Sequence, residues 1–223
     1  MPIYNVHSIF ESISGEAGPV IRQGAWTTFV RLQGCNLNCA YCDTQEARKD
    51  IGAYQMTPEE IASYVKTSNV LITGGEPLLQ DVEPLVYHLL ISGRTVQIET
   101  NGSVPISGEL ALHLSDQFGI VADVKCPSSK METNIFHPKD LVGLVYQSID
   151  FKFVIGSMAD TEFAKKYISM MPWQGVLGRF IFSPMNAEGG LIGMISRHLK
   201  NSKPEILDNS VFSLQLHKIA EMP

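Results

Sequence analysis

The chain has 223 residues, of which 44% are hydrophobic and 18% charged. That is enough length and apolar content for one full core, so residues 1–223 are expected to form a single domain. Lys and Arg number 17 against 23 Asp and Glu, a formal charge of −6, which argues against a nucleic-acid grip built on phosphates, local basic patches aside. No apolar run reaches the length of a membrane span, and no basic stretch followed by an apolar one opens the chain, so the expected location is cytoplasmic, where thiols stay reduced.

In chain order, the first strand signal is AWTTFVRL (25–32), and the loop GCNLNCAYCDT (34–44) follows it. Thr57-Pro58-Glu59-Glu60 reads as a capping box with proline at the first helical position, opening a helix that buries Ile61, Tyr64 and Val65. NVLIT (69–73) is the next strand, followed directly by Gly74-Gly75-Glu76-Pro77. Val82, Leu85, Val86, Leu89 and Leu90 place one apolar stripe on a helix that Gly93 ends. TVQIET (95–100) and GIVADVK (119–125) are strands, 126–138 is an irregular loop, and FKFVIG (151–156) is a strand. A helix through Phe163, Ala164, Tyr167, Ile168 and Met171 leads to strand GRFIFS (178–183). A helix through Leu191, Ile192, Ile195 and Leu199 then precedes strand VFSLQL (211–216). Strands alternating with helices imply an α/β fold on a parallel sheet, with the active site where loops leave the C-terminal strand ends.

Three of the four cysteines, Cys35, Cys39 and Cys42, fall on the 34–44 loop as Cys-x3-Cys-x2-Cys. A structural zinc site would need a fourth ligand, from Cys126, His7 or His217. A redox disulfide would leave one thiol over. A four-iron cluster on three thiolates leaves one iron without a protein ligand, and an open coordination position is where a substrate or cofactor enters. Cys126 outside the loop reads as a buried small hydrophobe.

CNLNCAYC resembles the signature of the radical S-adenosylmethionine (SAM) enzymes, and that resemblance selects the cluster over zinc. In those enzymes SAM chelates the open iron, and one-electron cleavage of its sulfonium yields a 5′-deoxyadenosyl radical that abstracts hydrogen from a substrate. Gly75 and Glu76 of the GGEP stretch match the family's site for the SAM amino group; taken alone, Gly-Gly there is a turn. Tyr41 matches the aromatic contact to adenine, with loop packing as its plain alternative.

Within that superfamily, VHSIFESISGEA (6–17), FVRLQGC (29–35), QIETNGS (97–103), DVKCPSSKM (123–131) and LQLHKIAEMP (214–223) resemble the 7-carboxy-7-deazaguanine synthase family, in the family's order across the whole chain. The resemblance implies a partial, modified radical SAM (β/α) barrel that acts as a carbon–nitrogen lyase. It would convert 6-carboxy-5,6,7,8-tetrahydropterin to 7-carboxy-7-deazaguanine with loss of ammonia, in queuosine and deazapurine biosynthesis. It implies a [4Fe–4S] cluster, SAM and Mg²⁺ as cofactors, a homodimer, and a flavodoxin-like or similar electron donor. Position by position, Cys35, Cys39 and Cys42 would hold the iron. Tyr41, Cys42, Asp43, Gly75, Glu76, Gly102, Asp123, Val124, Lys125, Ser183, Pro184, Met185 and Asn186 would line SAM. Ile13, Ser14, Gly15, Arg31, Thr100 and Pro223 would meet the substrate, and Thr44 would ligate Mg²⁺.

Plain readings stand beside several of these. Arg31 could be an end-of-strand surface arginine, Thr44 a helix N-cap, Lys125 a solvated lysine, Pro223 part of a frayed tail, and Glu16 either a substrate contact or a loop carboxylate. The chain also departs from the family's pattern, with Ser14-Gly15-Glu16-Ala17 for QGEG, Asp123-Val124-Lys125 for Ser-Pro-Lys and Ser183-Pro184 for Gln-Pro. A glycyl-radical activating enzyme shares the cysteine spacing and GGEP, but FESISGE and KCPSSK argue against it. A non-enzymatic iron–sulfur or zinc protein would have no need of GGEP.

Overall fold

A computed structural model describes residues 2–49, 51–131, 148–171, 178–185 and 189–221. In chain order the elements are β1 (Tyr4–Ile13), β2 (Trp26–Leu32), β3 (Tyr54–Met56), α1 (Pro58–Tyr64), β4 (Asn69–Gly74), α2 (Glu83–Ile91), β5 (Thr95–Thr100) and α3 (Gly108–Ala111). They continue with β6 (Phe118–Val124), β7 (Ile149–Ile155), α4 (Met158–Ser169), β8 (Phe180–Pro184), α5 (Gly189–Leu199), α6 (Pro204–Asp208), β9 (Ser210–Phe212) and α7 (Leu216–Ile219). Among the described residues the strands form one sheet in the order β3-β1-β2-β4-β5-β6-β7-β8-β9. From β2 to β9 every pairing is parallel. The sheet is open, a partial barrel rather than a closed one, with β3 and β9 at its edges.

The seven strands expected from sequence correspond to β2 and β4 through β9. Two further strands, β1 and β3, add an antiparallel edge. In β1 the register with β2 slips between Val6 and Ser8, so its apolar residues do not keep a period of two along the strand. The last strand is shorter than 211–216: it ends at Phe212, and Ser213 to Gln215 turn instead toward the loop after β1.

Period-two alternation gives the sheet two unlike faces. Val30, Leu32, Val70, Ile72, Val96, Ile98, Ile120, Phe151, Phe153, Phe180 and Phe182 form the core with the helices. Ile61 of α1, Leu85, Val86 and Leu89 of α2, Tyr167 and Ile168 of α4, and Ile195 and Leu199 of α5 meet them. The positions between them on the same strands, Arg31, Thr73, Glu99, Asp123 and Lys152, open on a cleft across the other face. The core is therefore complete without the cleft side.

The capping box forms as expected: Thr57 accepts the Glu60 N–H, and Glu60 returns a carboxylate to the Thr57 N–H. Ile61 and Val65 are buried but Tyr64 is 57% exposed, because it lies on the flank of a short helix whose inward face holds only the i, i+4 pair. The α2 stripe buries as read except for half-buried Leu90. Of the expected 126–138 loop, Pro127–Ser129 is a 3-10 turn and 132–138 lies outside the described residues. Among the described residues, no helix is long and apolar enough to cross a membrane.

Candidate active site

The cysteine loop leaves the C-terminal end of β2, and its root is welded to the end of β4. Gly75 donates its N–H to Leu32 O and Glu76 donates to Gly34 O. A side chain at either glycine would strike that backbone, with an added Cβ about 2.1 Å from Leu32 O at Gly74 and 2.0 Å from Gly34 O at Gly75. Gly74 also holds φ at +143°. The Gly-Gly pair is thus required by strand-to-loop contact, and it brings backbone to the rim of the cleft.

Beyond the root, the 126–131 segment supports the loop. Ala40 donates its N–H to Ser129 O at 3.0 Å, and Asn38 N–H approaches the Met131 sulfur at 3.5 Å. Asp160 at the start of α4 fixes that support from behind, accepting from the Ser128 N–H and hydroxyl and the Gly156 N–H. Cys35, Cys39 and Cys42 all line a cleft of about 370 Å³. The Leu37 N–H and the Asn101 amide point at the Cys35 sulfur, at 3.5 and 3.8 Å. Three thiols on one wall with N–H donors aimed at sulfur are a donor set that fits a [4Fe–4S] cluster. Two of the three candidate fourth zinc ligands are engaged apart from the cysteine loop. His7 pairs with Gln33, Cys126 is wholly buried in the core, and the side chain of His217 lies outside the described set.

Glu76 is wholly buried and set back from the cleft. Its carboxylate accepts from the Thr100 hydroxyl (2.7 Å), the Asn101 N–H (2.6 Å) and the Leu78 N–H (2.9 Å). It clamps the turn after β5. The Thr100 hydroxyl donates to Glu76 and accepts the Gly102 N–H, so it is committed within that turn. Thr73 on β4 faces the same cleft with no hydrogen bond from its hydroxyl among the described residues.

Arg31 and Thr44 occupy the β2 side of the cleft. The guanidinium stacks 5.5 Å from the Phe10 ring centre, and Phe10 in turn lies parallel to Phe29. One Arg31 N–H donates to the Thr44 hydroxyl at 3.0 Å, which donates to Asp43 at 3.1 Å. Thr44 precedes the 3-10 turn Gln45–Arg48 but makes no capping bond. Its hydroxyl belongs to the cleft, and with Asp43 it offers oxygen donors of the kind Mg²⁺ prefers. Arg48 on the same turn also lines the cleft, with its Nε buried and unpartnered among the described residues.

Across the cleft, β6 and β7 carry an ion network. Lys125 Nζ lies 2.9 Å from Asp123 Oδ2; Lys152 Nζ lies 3.5 Å from the same oxygen and 2.7 Å from Glu16 Oε2. Burial alone would pull the Lys152 ammonium down, but Glu16, Asp123 and Glu99 hold its pKa well above the ordinary lysine value. Burial would likewise raise Asp123, yet Lys125 and Lys152 hold its carboxyl below the usual range. For Glu99 burial prevails over Lys152 and pushes its carboxyl up, with Glu16 and Asp123 adding to the rise. Tyr41 sits beside this network, its ring 5.9 Å from the Lys125 ammonium. Its hydroxyl is buried without a partner among the described residues, and burial raises its pKa.

Of the residues singled out from sequence, Gly15, Arg31, Cys35, Cys39, Tyr41, Cys42, Asp43, Thr44, Gly75, Thr100, Asp123, Lys125 and Met185 line this one cleft. Ile13, Ser14, Glu76, Gly102, Val124, Ser183 and Pro184 do not line it, and Val124 lies in the helix-side core. Asn186 and Pro223 lie outside the described residues. The cleft also contains residues the sequence reading did not assign: Thr73, Glu99, Lys152, Gln215 and Arg48. For the strand residues the signal was available, since polar side chains at alternate positions of otherwise apolar buried strands mark a second, wetted face.

Residues 29–119 match the family model described as the radical SAM superfamily. The chain is 36% identical to the 7-carboxy-7-deazaguanine synthase of Methanospirillum hungatei, over 98% of this chain and 86% of that protein. It is 37% identical to that of Clostridium acetobutylicum, over 99% and 97%. Its fold is similar to that in the crystal structure of QueE from Escherichia coli, with a TM-score of 0.74 over 95% of this chain and 93% of that one at 19% identity.

Proposed function

Since the chain belongs to the 7-carboxy-7-deazaguanine synthase family of radical SAM enzymes, we propose that it converts 6-carboxy-5,6,7,8-tetrahydropterin to 7-carboxy-7-deazaguanine with release of ammonia. The observation that carries this reading is one cleft with three thiols on one wall and a guanidinium–threonine pair on another. Cys35, Cys39 and Cys42 would hold the cluster, leaving one iron for SAM. Bound together, cluster and SAM supply one-electron cleavage of the sulfonium and, through it, hydrogen abstraction from the pterin.

The chain's own part is binding, orientation and exclusion of water. Arg31 presents a planar fork suited to the substrate carboxylate, with its aliphatic and ring surfaces stacked on Phe10. Thr44 and Asp43 would supply the protein oxygen donors for Mg²⁺, whose chemistry there would be to neutralise and orient substrate oxygens. Tyr41, Lys125 and the Gly74–Gly75 backbone form the SAM wall. Thr73, with its open hydroxyl, faces the pterin beside Thr100. Glu99 is a carboxylate of raised pKa in the same cleft, able to accept an N–H of the substrate or to hold a proton during rearrangement. The same reading includes an external one-electron donor of the flavodoxin-like kind and a homodimer.

The test is anaerobic. Reduced, reconstituted enzyme incubated with SAM, Mg²⁺ and the carboxytetrahydropterin is expected to form the deazaguanine and 5′-deoxyadenosine together. Deoxyadenosine without turnover of the pterin would retain the superfamily and reject the substrate.

A further inference from the structure

We propose that Lys152 is a positioning residue for substrate recognition, holding the Glu16 carboxylate in place against the cleft. This rests on the pterin reading above. Lys152 projects from the middle of β7, opposite Asp123 in the sheet register, and its side chain is 10% exposed. Its ammonium lies 2.7 Å from Glu16 and 3.5 Å from Asp123. An ammonium at such a depth needs acceptors, and both come from elements that would otherwise be independent: a strand neighbour and the loop after β1.

Glu16 is held from the other side as well. Its Oε1 accepts from Gln215 Nε2 at 2.9 Å, while Oε2 faces Lys152. Oε1 is thus fixed by a hydrogen bond and Oε2 by the ion pair alone, with no hydrogen-bond partner among the described residues, so both keep acceptor capacity. The neighbouring Gln215 Oε1 and Asp123 Oδ1 are buried atoms without hydrogen-bond partners among the described residues. This wall of the cleft is therefore acceptor-rich, a match for a ligand that brings N–H donors, as the amino-substituted pyrimidine ring of a pterin does. Without the ammonium, Glu16 would be a buried carboxylate near Asp123 and Glu99, repelled from its place by like charge.

The assignment predicts a specific pattern. Lys152→Met is expected to raise both the pterin KM and the pterin Kd, the latter measured calorimetrically on unreduced holoenzyme, tenfold or more, with kcat falling less than threefold. Lys152→Arg, which keeps a cation at the site, is expected to return the Kd to within about threefold of wild type. In a Glu16→Gln background the further change to Met at 152 is expected to add less than twofold, because the charge it serves is gone. A Kd within twofold of wild type in Lys152→Met, a loss shared equally by the Met and Arg variants, or additive effects in the cycle would each overturn it. Should Lys152→Met not fold, the cycle is read with Lys152→Gln. Wild-type enzyme in the same assay separates the two claims. No pterin turnover there removes the substrate reading and the Lys152 assignment together, whereas normal wild-type turnover with an unaffected variant removes the assignment alone.

Discussion

Arg31 shows how a single side chain comes to be aimed into a cleft. It lies on the cleft side of β2, braced by the Phe10 face and by Thr44, so its remaining N–H groups are aimed before anything binds. Arg31→Met is expected to raise the pterin KM by about 10- to 100-fold, the equivalent of ~1.5–3 kcal/mol for a hydrogen bond to a charged group. Arg31→Lys is expected to recover only part of this, because the charge returns without the fork. Steady-state kinetics with varied pterin would show it. The cysteine triplet was legible because ligand spacing is local in sequence. Thr73 was not, because only the fold shows that Glu76 takes the Thr100 hydroxyl while Thr73 faces the cleft.

Among the strands, β5, β6 and β7 bring Glu99, Asp123 and Lys152 side by side, and their titrations have opposite consequences for stability. Asp123 has a folded pKa below 3.8, so the stability it contributes is present above that value and is lost as pH falls through the folded pKa. Lys125 and Lys152 have folded pKa values above 10.5, so theirs is present below that value and is lost as pH rises through the folded pKa. Glu99 has a folded pKa above 4.5, so ionising it costs stability as pH rises through that window. Glu99→Gln is therefore expected to raise the urea midpoint at neutral pH relative to wild type while lowering turnover. The difference in midpoint should vanish under acid conditions below 4.5. Alternation in the buried strands made the parallel core readable, and the Thr57 cap was plain. The edge strand β1 escaped because its bulge breaks the repeat, and β3 because three residues carry no periodicity.

The sheet separates tasks between its sides: helices and apolar side chains on one, charged groups and the three thiols on the other. Removing the iron by chelation is accordingly expected to abolish colour and SAM cleavage while leaving the far-UV circular dichroism unchanged. Anaerobic reconstitution should restore about four irons per chain. The two ends of the cleft also differ in how far apart their parts lie along the polypeptide. The thiol arch, its glycine weld and its support draw on residues up to Asp160, whereas the Glu16 loop is tied to Ser213, Gln215 and Leu216. Synthesis therefore completes the cysteine loop and its supports, Asp160 included, before the segment that braces the Glu16 loop.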